Sequence, residues 1–106
     1  MTPLFIPLKR EYFEAFKCGS KTEELRRYGP RWNERACTVG RPVTLSLGYG
    51  TAHRLTGTIW RFKKQRGSTF GSTYKADILA VFGTLDIEIA CISITTTPLD
   101  VRQAEA

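Results

Sequence analysis

Gly19-Ser20-Lys21-Thr22-Glu23-Glu24-Leu25-Arg26 follows a short amphipathic segment and sets a glycine turn beside a lysine, a carboxylate and an arginine. Read as a strand, positions 22 to 28 put Thr22, Glu24, Arg26 and Tyr28 on one face, because side chains alternate. Glu23, Leu25 and Arg27 take the other face. Lys21 has the wrong parity to join Glu24 and Arg26 from within a regular strand. It reaches them only from the turn, where Gly19 frees the backbone and the long lysine stem can fold back. Such a trio binds anions and does proton chemistry. Two plainer readings fit the same residues: an edge strand whose charges are solvated, or an internal Lys-Glu-Arg salt-bridge network that ties the turn to the rest of the fold.

Working outward, Leu4-Phe5-Ile6-Pro7-Leu8 reads as a first strand, with Pro7 near its end. Positions 10 to 18 read as a helix with Tyr12, Phe13 and Phe16 clustered on one side, stopped by Gly19. Tyr28-Gly29-Pro30 marks a break, and Pro30 suits the first turn of a short helix through about Ala36. Val43 to Leu47 alternates apolar and hydroxyl residues as a strand does. A further strand is predicted from about Arg54 to Lys64, with Leu55, Gly57, Ile59, Arg61 and Lys63 on one face and Trp60 packed within the strand. The glycine- and serine-rich stretch Gln65 to Thr73 reads as a mobile loop. Positions 74 to 82 fit a helix with Ile78, Leu79 and Phe82 on one side and Gly83 as its stop. Asp86 to Ile94 is a last, apolar and therefore central strand, and the residues after Thr95 read as a tail. This order lacks a regular βαβ alternation, which points to an α+β fold rather than a doubly wound sheet.

The spacing Gly-x-Lys-x-x-Glu-x-Arg, placed after an N-terminal strand and helix, resembles the signature of the ASCH domains, small relatives of the PUA RNA-binding fold. Trp32 and Arg35 follow it in a short helix-like segment, and Glu88-Ile89-Ala90-Cys91-Ile92 resembles the closing strand of that family. The resemblance spans roughly positions 4 to 94 and implies one domain over residues 1 to 95, with a tail at 96 to 106. It also implies a small mixed β-barrel of five to six strands with peripheral short helices. RNA or nucleotide binding is the implied role. Some ASCH proteins instead hydrolyse an amide on a modified cytidine such as N4-acetylcytidine, and others cleave RNA. In the amidohydrolase branch the signature lysine is the catalytic one, which carries over to Lys21. That branch has threonine where this chain has Glu24, and it uses a further downstream glutamate; the segment before residue 83 here offers only Asp77.

Length and charge are compatible with these readings. A chain of 106 residues fits one modest domain. Sixteen basic against ten acidic residues leave a formal charge of +6, which favours a polyanionic partner through counterion release from phosphates. Three cysteines, Cys18, Cys37 and Cys91, are an odd number without close spacing, so no disulfide framework is indicated, and Cys91 reads as a core residue. The single histidine, His53, and the lack of a Cys-x-x-Cys pair argue against a structural zinc, and no cofactor or metal is expected. Neither a signal-peptide pattern nor an apolar run of about 20 residues is present, so a cytoplasmic chain without a membrane partner is predicted.

The predicted site has two parts. Lys21, Glu24 and Arg26 form the reactive or ligand-holding group: a lysine base or nucleophile, a carboxylate that moves a proton, and a planar fork for a phosphate, base edge or oxyanion. In a metal-independent ribonuclease, Lys21 would face the pentavalent phosphate and Glu24 the 2′-hydroxyl. Arg31, Arg35, Lys63, Lys64 and Arg66 form a positive surface for single-stranded RNA, unless the basic run 61 to 66 is only a charged edge that discourages aggregation. Trp32 and Tyr49 are candidate stacking platforms for an unpaired base. Ser20, Thr22 and Ser46 have no histidine partner nearby, so a serine-hydrolase reading has no support.

Overall fold

The structure, a computed structural model, describes residues 1–96. Beyond Thr96 the predicted tail lies outside the described residues. Five strands and two helices follow one another along the described chain: β1 (Leu4–Leu8), α1 (Arg10–Cys18), β2 (Glu23–Arg27), β3 (Pro42–Leu47), β4 (Arg54–Arg66), α2 (Ser72–Phe82) and β5 (Glu88–Thr96). A 3₁₀ turn, Gly67–Thr69, joins β4 to α2. The strands form one mixed sheet in the order β1-β3-β4-β5-β2, curled into a half-barrel. β1 and β3 run parallel; every other pairing is antiparallel. The α+β class predicted from the sequence is the class observed.

The curl sets the site. β1 and β2 are the two outer strands of the sheet, yet the Arg26 guanidinium of β2 donates to the Pro7 carbonyl of β1 at 2.6 Å. Pro7 suits that place: an outer strand can tolerate a residue that lacks an N–H. α1 carries the chain from one outer strand to the other. It buries Phe13 and Phe16 in the main core with Ile6, Leu45, Ile59 and Ile92. A second, smaller core lies against the opposite face of the sheet, where α2 contributes Ile78 beside Phe70, Ile87, Ile89 and Cys91. β5 supplies both cores and is buried from Ile89 to Ile94, as its apolar run predicts.

Several expectations are corrected. The segment at 30 to 36 is a run of turns, not a helix. Gly29 and Trp32 exchange backbone hydrogen bonds at 3.2 and 3.0 Å, and the Asn33 side-chain carbonyl accepts from the amides of Arg35 and Ala36 at 3.1 and 2.9 Å. The Asn33 side chain thus serves amides that would otherwise belong to a longer helix. β4 does not alternate without interruption. Ile59 pairs with Ile94 but Arg61 with Ser93, so Trp60 is an extra, bulged residue and is 53% exposed rather than packed. The bulge resets the parity: Ile59 and Phe62 share the main core face, and Arg61, Lys63 and Gln65 share the other.

The stretch expected to be a mobile loop is ordered instead. β4 continues to Arg66, and the Gly67 amide bonds the Ile87 carbonyl at 2.9 Å. A Cβ on Gly67 would stand 2.8 Å from the Leu85 carbonyl, so glycine serves close approach there rather than flexibility. α2 begins at Ser72 and leaves Leu79 exposed, not on the packed side with Ile78.

Candidate functional site

The Gly19 turn works as its sequence predicts. Gly19 ends α1 in the left-handed conformation at φ 85°, and its amide bonds the Phe16 carbonyl at 3.2 Å. The Lys21 amide then returns to the Ala15 carbonyl at 3.1 Å, which turns the lysine stem back over α1. Its Nζ lies 5.4 Å from the centre of the Tyr12 ring, 5.5 Å from that of Phe16, and 3.6 Å from Glu24 Oε1. Glu24 is 7% exposed, and its Oε2 accepts from Arg26 Nε at 2.7 Å. Arg26 is at the same time strapped to Pro7 and stacked on the Trp32 ring, 4.7 Å from its centre. The salt-bridge network and the ligand-facing trio are therefore one object: the three groups are paired with each other and also line a cleft.

That cleft, about 320 Å3, occupies the seam where the half-barrel does not close. Pro7 and Leu8 of β1 form one wall and Glu24, Leu25 and Arg26 of β2 the other. Because β2 is an outer strand, side chains from both of its faces reach the opening. α2 roofs it with Tyr74, Asp77, Val81 and Phe82, and α1 adds Tyr12. The lining is mostly apolar, with a few charged and phenolic groups converging on it. This is the usual composition of a small-molecule site.

Asp77, Tyr12 and Tyr74 enter the site although the sequence analysis assigned none of them to it. Asp77 is the one acid noted before residue 83. Burial pushes the Tyr12 phenol above its ordinary 10.0, helped by the negative charges of Glu11, Asp77 and Glu24. Tyr74 is pushed up to about 12, chiefly by burial and then by its hydrogen bond to Glu23 at 2.9 Å. The α1 and α2 positions of these residues meet only through the long-range closure of the sheet, which no local spacing reports.

The predicted RNA-facing residues are divided. Two guanidinium groups lie over Trp32, that of Arg31 at 5.4 Å from the ring centre in addition to that of Arg26. Its ring also packs against the main core, so it anchors the turn and borders the site through Arg26. The Arg35 side chain is exposed beside this turn. Lys64 sits over the Tyr28 ring at 4.8 Å, and the Tyr28 hydroxyl donates to Glu34. Arg66 is taken up by two carboxylates, Asp86 at 2.8 Å and Glu88 at 2.9 Å. Lys63 faces a second hollow on the α2 side of the sheet. Tyr49 is 81% exposed, tilted against Phe5, and does not line the cleft. The charged-edge reading of positions 61 to 66 remains compatible with the topology: β3 pairs with β4 only from Arg54 to Thr58, so beyond the bulge β4 is paired on one side alone, by β5.

No family model matches the chain, and no curated protein gives a significant match. Among the described residues no helix is long and apolar enough to cross a membrane, and no cluster of three or more histidine, cysteine or carboxylate side chains is placed to hold a metal ion.

Proposed function

We propose that the chain is an ASCH-like domain of the PUA superfamily and that its seam cleft binds RNA or a nucleotide through Lys21, Glu24 and Arg26. The observation that carries this reading is the convergence of the three side chains on one open cleft at the gap between β1 and β2. Lys21 meets an anionic oxygen as a point charge. Arg26 is oriented by Glu24, Pro7 and Trp32, so its remaining N–H groups offer fixed directions to a base edge or phosphate. Leu25, Val81 and Phe82 provide apolar surface for the flat faces of a base. The +6 formal charge supports a polyanion over a neutral metabolite. Direct titration tests it: a single-stranded RNA should bind with salt-dependent affinity, and Lys21→Ala should weaken binding while the fold persists. Salt-independent binding, or none at submillimolar concentration, would leave the fold as a scaffold for protein contacts.

Asp77 favours a second reading, a small hydrolase. A carboxylate roofing the same cleft as Lys21 supplies the proton-handling group that amide hydrolysis needs. In that chemistry water adds to the acetyl carbon of an acylated exocyclic amine. Its proton passes to Asp77 and on to the departing nitrogen, while the Lys21 ammonium faces the oxygen that gains charge. Acetate and the free nucleoside result. Glu24, held by two cations, positions them rather than taking the proton. For a ribonuclease the same lysine would face the phosphate instead. Incubation with acetylated cytidine and with RNA, comparing the wild type with Lys21→Ala, separates turnover from binding.

A further inference from the structure

On the α2 face of the sheet, a hollow of about 170 Å3 has no part in the seam cleft except a shared wall, Tyr74. Its charged lining comes from two strands. Arg61 and Lys63 project from β4 one strand period apart, about 6.7 Å at the usual rise. The Trp60 bulge places them there; were Trp60 itself paired in register, they would share the face of Ile59 and point into the main core. Glu23 projects from β2, and its carboxylate is held by three neutral donors: Tyr74 at 2.9 Å, Ser93 at 3.3 Å and Cys91 at 3.4 Å. These bonds pin Glu23 to the wall and occupy most of its acceptor positions. The two cations, by contrast, enter no hydrogen bond or ion pair among the described residues. Phe70 packs edge-on to Tyr74 at 5.8 Å and closes the far side.

Of the basic run from Arg61 to Arg66, then, strand parity and pairing leave two side chains free inside one concavity. Lys64 lies over Tyr28, and Arg66 is neutralised by Asp86 and Glu88. Two unpaired cations against one internally satisfied carboxylate make a hollow suited to a phosphate group. The shared Tyr74 wall puts that phosphate next to whatever occupies the cleft. We propose that the hollow is a phosphate subsite for the RNA strand whose base enters the seam cleft, with Arg61 and Lys63 gripping a neighbouring phosphodiester across Tyr74. This rests on the nucleotide-binding reading of the cleft for its partner, but not for its phosphate chemistry.

The test titrates three probes, a hexauridylate, free uridine and inorganic pyrophosphate, against the full chain. The variants are Arg61→Gln with Lys63→Gln, and a charge-matched control, Arg10→Gln with Lys17→Gln, on the exposed side of α1. Circular dichroism and the amide spectrum establish that both fold. In the first variant hexauridylate should bind about tenfold or more weakly, and its salt slope should fall by roughly 0.7–1.4 for one or two lost phosphate contacts. Uridine affinity should stay unchanged, and the control should bind hexauridylate as the wild type does. Pyrophosphate should shift the amides of Arg61, Lys63 and Ser93 in the wild type and not in the variant. Equal weakening by the control would reduce the effect to net charge and overturn the subsite, as would an unchanged hexauridylate affinity or an equal loss for uridine. If no RNA binds the wild type, the function proposed for the cleft falls; pyrophosphate shifts at those amides would then keep a phosphate site without an RNA strand, and their absence would remove it.

Discussion

The Arg26 guanidinium and the Pro7 carbonyl, 2.6 Å apart, join the two outer strands of a sheet that makes no backbone closure between them. The same guanidinium holds the buried Glu24 carboxylate at 2.7 Å, so one side chain both straps the seam and orients the floor of the cleft. Arg26→Ala would release the strap and leave Glu24 with only the longer Lys21 contact at 3.6 Å. A loss of roughly 2–4 kcal/mol in urea unfolding is expected, because a buried carboxylate stripped of its partner is costly. Arg26→Lys should recover little of it, since an ammonium cannot serve Glu24, Pro7 and the Trp32 face together. Full recovery by lysine would mean that charge alone holds the seam.

Lys21 should behave in the opposite way. Its ammonium stands at the cleft mouth with a loose ion pair and two ring contacts, an arrangement worth about 1 kcal/mol or less at such partial exposure. Lys21→Ala should therefore unfold within about 1 kcal/mol of the wild type while losing most of its RNA affinity or its turnover. A variant as active as the parent would remove Lys21 from the site.

The bulge in β4 makes a sharper structural test. Trp60→Ala trims an exposed ring and should cost little. Deleting Trp60 should also be tolerated, because removing the extra residue leaves Ile59 opposite Ile94 and Arg61 opposite Ser93 and restores plain alternation. Phe62 would stay in the main core, and Arg61 and Lys63 on the other face. A deletion that unfolded the domain while Trp60→Ala did not would contradict that pairing.

This bulge also marks where sequence reading stops. β1, α1, β2, β3 and β5 are legible because each shows its own period: alternation around Thr44 and Ser46, a one-sided aromatic cluster at Phe13 and Phe16, an uninterrupted apolar run ending at Ile94. The Lys21-Glu24-Arg26 trio is legible for the same reason, since a turn and two strand positions specify it locally. One inserted residue has no compositional mark, and a tryptophan inside a strand reads as core. Gly67 reads as flexible because the Leu85 carbonyl it must approach lies far along the chain. Asp77, Tyr12 and Tyr74 join the site through sheet curvature and helix docking, neither of which a window of neighbours contains.

Alkaline pH should weaken the fold through three protonated groups. Burial raises Cys37 from 9.0 to about 11 and Cys91 from 9.0 to about 12, and burial with the Glu23 hydrogen bond raises Tyr74 from 10.0 to about 12. Each keeps its proton to higher pH when folded than when unfolded. Their contribution is therefore complete below pH 9.0 and is lost as pH climbs toward about 12. The slope should approach about 1.4 kcal/mol per pH unit for each group titrating differently in the two states. Urea unfolding across that window should show a shallower decline for Cys91→Ala. An identical decline would take Cys91 out of the linkage.

Thiol chemistry should be confined to one position. Cys18 is exposed, and its hydrogen bonding with Ser20 lowers its pKa below 9.0, whereas burial raises both Cys37 and Cys91. The thiolate is the reactive form, so iodoacetamide should alkylate Cys18 alone in the native chain and all three once urea unfolds it. Native labelling of Cys91 would show that the α2 side of the sheet opens.

Asp77→Asn decides between the two readings of the cleft. Asp77 is exposed at the middle of α2, so the exchange should change stability by no more than about 0.5 kcal/mol. If the cleft only binds, removing a negative charge from its roof should tighten the grip on RNA, because the phosphates no longer meet a like charge there. If the cleft hydrolyses an acylated nucleoside, the amide keeps the shape of the acid but cannot accept the proton of the attacking water. Turnover should then fall by about a hundredfold or more, the usual contribution of a positioned acid–base group, while KM stays near its original value. A tighter RNA complex with no turnover in either protein would assign the domain to binding. A collapse of kcat at constant KM would assign Asp77 to the chemistry and make Lys21 its partner across the seam.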